Sequence, residues 1–287
     1  MRIVLTGAHD TGKTTLARFL SRKLSIPYIT DNGRDYLETF FGTDNWKRLT
    51  PVEHVLFSSI RAVSITYAHM NNTQFITDRS PLDTLAYLHL SKVENHYTSE
   101  IQSFIEKLEF LLNTVLSTEM YNLVIHLTVD RERYKAKSEA YQLVAQYLKS
   151  KSIILDKNEL PVEINWKEVT FDKIVDFVLV KKPRYATLND IEEILAEIET
   201  FKSDKESEYR DFQAYNHCIA NYEHMRTKLI VDQYISERLA KLQAETIMVS
   251  LEKPNVHQFY EELVNIMPEL AIADYEPDID NDLDDRY

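Results

Sequence analysis

The chain has 287 residues, 44% of them hydrophobic, a single cysteine and a formal net charge of −13. That length and apolar content suit one large globular core or two smaller ones and argue against disorder as the default, and the single cysteine excludes an internal disulfide framework. The charge is uneven: residues 181–287 hold 24 Asp/Glu against 12 Lys/Arg, whereas residues 1–180 hold 22 against 21, a balance that opposes broad adhesion to nucleic acid.

Ile3, Val4 and Leu5 predict a short buried strand, and the segment Gly7-Ala8-His9-Asp10-Thr11-Gly12-Lys13-Thr14-Thr15 follows it. Two of the chain's four glycines bracket four residues here. The spacing fits G-x-x-x-x-G-K-[ST], a loop whose backbone N–H groups wrap a polyphosphate while the lysine reaches the outer phosphates and the hydroxyl holds Mg²⁺. The whole run from Gly7 to Thr15 is therefore the candidate ATP cradle, with Lys13 on the β- and γ-phosphates and Thr14 as a metal ligand. Asp10 is a carboxylate inside a loop meant for anions. It must point outward or toward metal, because an inward carboxylate repels phosphate.

Thr14 to Leu24 predicts a helix with Leu16, Phe19, Leu20 and Leu24 on one face and Arg18, Arg22 and Lys23 on the other. Ile26–Thr30 reads as a second strand, ending at Asp31, with a helix from near Arg34. Val52–Met70 reads as a helix and Gln74–Asp78 as a third strand ending in an acid. Residues 99–117 form a long helix with Ile101, Phe104, Leu108, Leu111, Leu112 and Val115 spaced for burial. Leu123–Val129 is a fourth strand and Arg131–Lys151 a polar, basic helix. Ser152–Leu155 or Val162–Ile164 supplies a fifth strand before a helix at 167–180.

Strands alternating with amphipathic helices predict an α/β core, a parallel sheet with helices on both faces. The boundary falls near Lys181-Lys182-Pro183, giving a first domain over 1–182. Beyond it, Leu188, Ile191, Ile194, Leu195, Ile198 and Phe201 mark one helical face, and 208–251 continues at helical spacing. Residues 183–273 thus read as a helical accessory region and 274–287 as an acidic, flexible tail. Asp278, Asp280 and Asp282 do not make a calcium loop, since Leu283 stands where glycine is needed. The lone Cys218 suits a reducing compartment and an inert core position. No apolar run approaches the ~18 residues of a membrane span, and no signal-peptide pattern precedes the glycine loop. The sequence predicts a cytoplasmic protein with no membrane partner. A homo-oligomer is compatible with it.

Ligands of a parallel sheet gather at the carboxyl ends of its strands. Asp78, followed by Arg79, Ser80 and Asp83, and Asp31, followed by Arg34, both end strands there. Asp and Ser also cap helices, so each acid has a purely structural alternative.

The segment Phe75-Ile-Thr-Asp78-Arg79-Ser80-Pro-Leu-Asp83 resembles the Asp-Arg segment of small P-loop kinases of nucleosides and nucleotides, including deoxynucleoside, thymidylate and nicotinamide riboside kinases. Asp31-x-x-Arg34-x-Tyr36-Leu37 resembles the stretch after the second strand in nicotinamide riboside kinases and their viral relatives. The resemblance covers residues 1–180 and implies a P-loop kinase core that uses ATP and Mg²⁺ on a small nucleoside or nucleotide acceptor. It implies Asp78 as a second metal ligand, Asp31 as base or orienting acceptor, and Arg34 and Arg79 as acceptor-binding groups. A lid follows the fourth strand in such kinases, so Arg131 and Arg133 are expected to close over the transferred group. A kinase of hydroxymethylated bases in DNA and a nucleotide-driven switch or motor ATPase remain alternatives; the charge disfavours the DNA acceptor.

Overall fold

The apolar run at the start of the chain forms β1 (Arg2–Gly7), and the glycine loop leads from it into α1 (Lys13–Leu24). The computed structural model describes residues 1–30, 33–43, 46–117, 120–155, 161–203, 210–241, 246–250 and 255–270. The expected acidic tail, residues 274–287, lies outside them.

Helix α1 ends where Ser25 turns left-handed (φ +54°) and donates its N–H to the Arg22 and Ser21 carbonyls, with Arg22 and Lys23 in the last turn favourable to the helix dipole. The chain continues through β2 (Tyr28–Ile29), α2 (Gly33–Phe41) and α3 (Pro51–Met70). Helix α3 starts at a capping box between Thr50 and Glu53, with Pro51 at its first position. Then come β3 (Phe75–Thr77), α4 (Pro81–Glu94), α5 (Ser99–Ser117), β4 (Leu123–Thr128) and α6 (Arg131–Ser150). The chain proceeds through β5 (Ser152–Leu155), β6 (Pro161–Ile164), α7 (Phe171–Lys181), α8 (Leu188–Ser203), α9 (Arg210–Leu239), β7 (Thr246–Ser250) and α10 (Val256–Ile266).

Among the described residues, five strands make one parallel sheet in the order β2-β3-β1-β4-β7. β1 lies in its middle, so the chain leaves β1 toward one side and returns to pair with β4 on the other. The glycine loop therefore sits at the topological switch point, where such sheets bind ligands. Alternation along the strands sorts the core. Val4 and Val124 point toward α4, α5 and α9, where Leu85, Leu88, Leu112, Val231 and Ile235 are buried. Ile3, Leu5, Ile125 and Leu127 point the other way, onto Leu16 and Leu20 of α1 and Phe259 and Leu263 of α10. A third cluster joins α6, α7, α8 and α9 through Tyr141, Val144, Leu148, Ile174, Ile191, Ile198 and Cys218. Cys218 is wholly buried and its thiol is pushed up to about 12 by desolvation, which keeps it inert.

The parallel α/β sheet matches the sequence expectation, but its fifth strand does not come from the expected place. β5 and β6 both form, yet among the described residues they pair only with each other, antiparallel, as a separate two-stranded sheet. The fifth strand is Thr246–Ser250, read from sequence as helix; it pairs along the free edge of β4 from Val124↔Thr246 to Thr128↔Ser250. Position 182 is thus no boundary of the sheet, and the stretch 183–273 is partly built into the core. In α5 the buried residues are Ile105, Leu108 and Leu112, while the expected Phe104 and Leu111 face outward. Leu108 and Leu112 lie on the face of α5 that packs with α4, and Phe104 and Leu111 lie off it.

Candidate active site

Gly7 and Gly12 both take positive φ, +146° and +87°. A Cβ on Gly7 would stand 2.4 Å from the Leu127 carbonyl oxygen of β4, so the loop leaves the sheet where only glycine fits. Asp10 takes φ +54°, and its side chain is 69% exposed, pointing out of the loop as the electrostatic argument requires. The N–H groups that open α1 have no partner within the helix and carry the positive end of its dipole. They form an anion site at the carboxyl edge of the sheet.

Lys13 is buried beneath that edge. Its Nζ donates to the Gly7 carbonyl at 2.9 Å and to the Ala8 carbonyl. Burial and the neighbouring Arg79 charge push the ammonium down to about 7, against the pull of Asp83, Asp78 and Asp10. Thr14 donates its hydroxyl to Asp78 Oδ2, and Asp78 is buried directly after β3. A hydroxyl and a carboxylate held together beside a phosphate loop are a donor set that fits Mg²⁺. The two predicted metal ligands are thus in contact. Asp78 is not a helix cap, because Ser80 caps α4: its Oγ accepts from the Leu82 and Asp83 amides at 3.1 and 3.2 Å.

Asp83 holds this corner together. Its Oδ2 accepts from the Ser80 amide and hydroxyl, both at 2.8 Å, and its Oδ1 accepts from the Gly7 amide at 3.2 Å. The start of α4 is thereby tied to the start of the loop. Thr11 closes the loop from inside by donating to the Ala8 carbonyl at 2.9 Å. Tyr28, which opens β2, is pushed up to about 12 by burial and the Asp78 charge. Asp31 and the side chain of Arg34 lie outside the described residues.

The expected lid residues are engaged elsewhere. Arg131 opens α6 and donates Nε to Asp232 Oδ2 at 2.7 Å and a terminal nitrogen to Ser236 Oγ at 2.5 Å, both on α9. Arg133 is exposed; its amide is capped by Asp130 Oδ1 at 3.1 Å, and its charge is felt at Glu193 of α8. A fully buried carboxylate on the facing helix takes the Arg131 guanidinium and ties the start of α6 to α9. Asp232 also accepts from the Val129 amide at 3.3 Å. His126 Nε2 lies 3.2 Å from Asp232 Oδ1 without the alignment of a hydrogen bond. Burial raises the Asp232 carboxyl, but His126 and Arg131 more than offset this and hold it below the usual range.

Helix α9 contributes residues that sequence reading missed. Lys228, 4% exposed, stands 3.9 Å from Asp10 Oδ2 and over the Tyr134 ring. His224 Nδ1 meets His9 Nε2 at 3.0 Å, and His9 Nδ1 meets the Tyr87 hydroxyl at 3.0 Å. Burial, with the charges of His224, Lys228 and Lys13, pushes His9 down to about 3, so its ring is neutral near pH 7. His224, Lys228 and Asp232 recur every fourth residue and share one face of α9. That spacing was the available signal.

A glycine-bracketed loop between a central parallel strand and a helix, with a buried lysine and a Thr–Asp pair at its mouth, defines a P-loop nucleotide-binding protein. The sequence profile of the AAA domain matches residues 2–157, and the chain belongs to that family. No curated protein matches the sequence significantly. Among solved structures, deoxyadenosine kinase from M. mycoides with bound dATP is similar at 14% identity and TM-score 0.47, over 93% of this chain and 100% of that one. Thymidylate kinase from Candida albicans is similar at 15% identity and TM-score 0.41, over 95% of this chain and 94% of that one. A NadR protein in complex with NAD and AMP-PNP is similar at 17% identity and TM-score 0.33, over 77% of this chain and 48% of that one. Among the described residues, no helix is long and apolar enough to cross a membrane.

Proposed function

We propose that this chain is an ATP-dependent kinase that transfers the γ-phosphoryl group to a hydroxyl or phosphate of a nucleoside, nucleotide or similar small acceptor. The observation that carries the reading is the Asp78-Arg79 pair at the end of β3: the carboxylate is on the Thr14 hydroxyl, and the guanidinium charge is felt at Lys13. A carboxylate suited to a metal and a cation suited to a phosphate or acceptor thus follow one another in the chain beside the phosphate loop.

Phosphoryl transfer asks a protein mainly to align two oxygens and to neutralise charge. Lys13 and the amides of residues 8–14 would hold the β- and γ-phosphates. Thr14 and Asp78 would hold Mg²⁺, which when bound neutralises charge on the phosphates. Arg79 and Arg34 would fix the acceptor, and Asp31 would take the proton of an attacking hydroxyl or orient it. The acceptor oxygen bonds to the γ-phosphorus, the bond to the β,γ-bridging oxygen breaks, and ADP leaves. Lys228 of α9, 3.9 Å from Asp10 Oδ2, would add a cation beside the loop for charge that develops during transfer.

The test is a screen of nucleosides, nucleoside monophosphates and hydroxymethylated DNA with γ-labelled ATP. Label is expected on a small acceptor. Hydrolysis at the same rate with and without every acceptor would overturn the reading in favour of an ATPase, and label on DNA alone would move the acceptor to the polymer.

A further inference from the structure

His9, Asp10 and His224 form a cluster that phosphate binding does not require. The first two stand inside the phosphate loop at positions where its signature accepts any residue, and the third comes from α9. One ligand atom from each lies within 4.8 Å of the other two. The His9 Nε2 to His224 Nδ1 separation is 3.0 Å, and His224 Nε2 is 3.7 Å from Asp10 Oδ2. These distances involve different ring nitrogens of His224, of which one ion takes one; zinc with bonds of about 2.0–2.1 Å in tetrahedral array sets its ligand atoms about 3.3 Å apart, close to the His9 Nε2–His224 Nδ1 separation. With His224 Nδ1 as the ligand, rotation of the largely exposed Asp10 side chain would bring the third atom, within 4.8 Å, around the same ion.

The surroundings also suit a metal. Ligating histidines donate their second ring N–H to a fixed partner that sets the tautomer. His9 has such a partner: with Nε2 turned to the ion, Nδ1 carries the proton and donates to the Tyr87 hydroxyl 3.0 Å away. Tyr87 is itself packed among the apolar residues between α4 and α9. Two imidazoles and one carboxylate favour Zn²⁺ and other late first-row ions over Mg²⁺, which selects oxygen. Asp10 is the weakest of the three, because Lys228 competes for it from 3.9 Å.

We propose that His9, Asp10 and His224 form a Zn²⁺ site, separate from the Thr14–Asp78 pair, that staples helix α9 to the phosphate loop. The inference goes beyond the kinase reading and stands or falls without it, since it concerns ion binding by the full chain alone.

The experiment is equilibrium dialysis of the full-length protein against Zn²⁺ with excess Mg²⁺ present to hold the oxygen site, repeated with Co²⁺ as a visible-absorption probe. The wild type is expected to take up one ion per chain and to gain thermal stability with it. His224→Gln keeps a polar helix former on α9 and should weaken uptake by about 100-fold or more, and Asp10→Asn by less. Tyr87→Phe, which removes only the partner of His9, should weaken it by about tenfold. Because Asp10 is largely exposed, Asp10→Asn serves where His224→Gln fails to fold. Absence of saturable Zn²⁺ uptake by the wild type would overturn the proposal. So would uptake unchanged by every folded variant among His224→Gln and Asp10→Asn.

Discussion

Replacing Gly7 by alanine tests whether the phosphate loop is dictated by the sheet beneath it. Two costs add at this position. The backbone sits at φ +146°, a region that L side chains avoid at about 1–3 kcal/mol. The new Cβ would also stand 2.4 Å from the Leu127 carbonyl oxygen, and that oxygen cannot retreat freely because Gly7 and Leu127 are register partners in the β1–β4 ladder. Overpacking of this kind costs about 1–3 kcal/mol more. The expected loss is about 2–6 kcal/mol. For a chain of this size each kcal/mol moves the midpoint by about 2 °C, so thermal unfolding should shift down by about 4–12 °C. Gly42→Ala supplies the control: it too has positive φ, +64°, but nothing lies within 4 Å of its Cβ position, so it pays only the left-handed term of about 1–2 kcal/mol. Differential scanning calorimetry on the two variants reads the difference. Equal midpoint shifts in both would refute the close approach of loop and strand.

The loss of charge on Lys13 above about pH 7 should make nucleotide binding take up a proton near pH 8, because phosphate favours the ammonium form; calorimetry in buffers of different ionisation enthalpy measures it, and no uptake counts against the buried pose. Asp78→Asn should raise the Mg²⁺ concentration needed for half-maximal activity while leaving the fold intact, and an unchanged Mg²⁺ requirement would remove Asp78 from the metal site. Asp232→Asn should cost about 1.5–3 kcal/mol at pH 7, the value of hydrogen bonds to a charged group, since the Arg131 side chain is 40% exposed and can recover water. The folded carboxyl is depressed, so its contribution is present above the unfolded value near pH 4 and is lost as pH falls through the folded value. Urea melts from pH 7 to 3 should therefore show a shallower acid limb in the variant.

The loop, the helix behind it and the Thr14–Asp78 pair were legible in the sequence because each rests on short-range spacing or on a known sheet edge. The Arg131 assignment rested on its place after the fourth strand and on a family resemblance, and neither reveals a buried carboxylate arriving from a distant helix. The fifth strand was missed for a related reason. Thr246–Ser250 is a short apolar run that fits a buried helix as well as a buried strand, and only its partner β4, far back in the chain, decides between them. His224, Lys228 and Asp232 carried a readable four-residue spacing, but polar spacing on a long helix usually marks its wet face. Here the same face meets the phosphate loop.

The origin of β7 bears on the order in which the molecule can be made. While a ribosome is still translating residues before 246, β4 has β1 on one side and nothing on the other, so a row of backbone amides and carbonyls stays open to any passing strand. The Asp232 carboxylate that anchors Arg131 emerges only shortly before that strand. A nascent chain stalled in this interval would hold a finished phosphate loop on an unfinished sheet, and such an intermediate is a natural client for a chaperone that shields sticky edges.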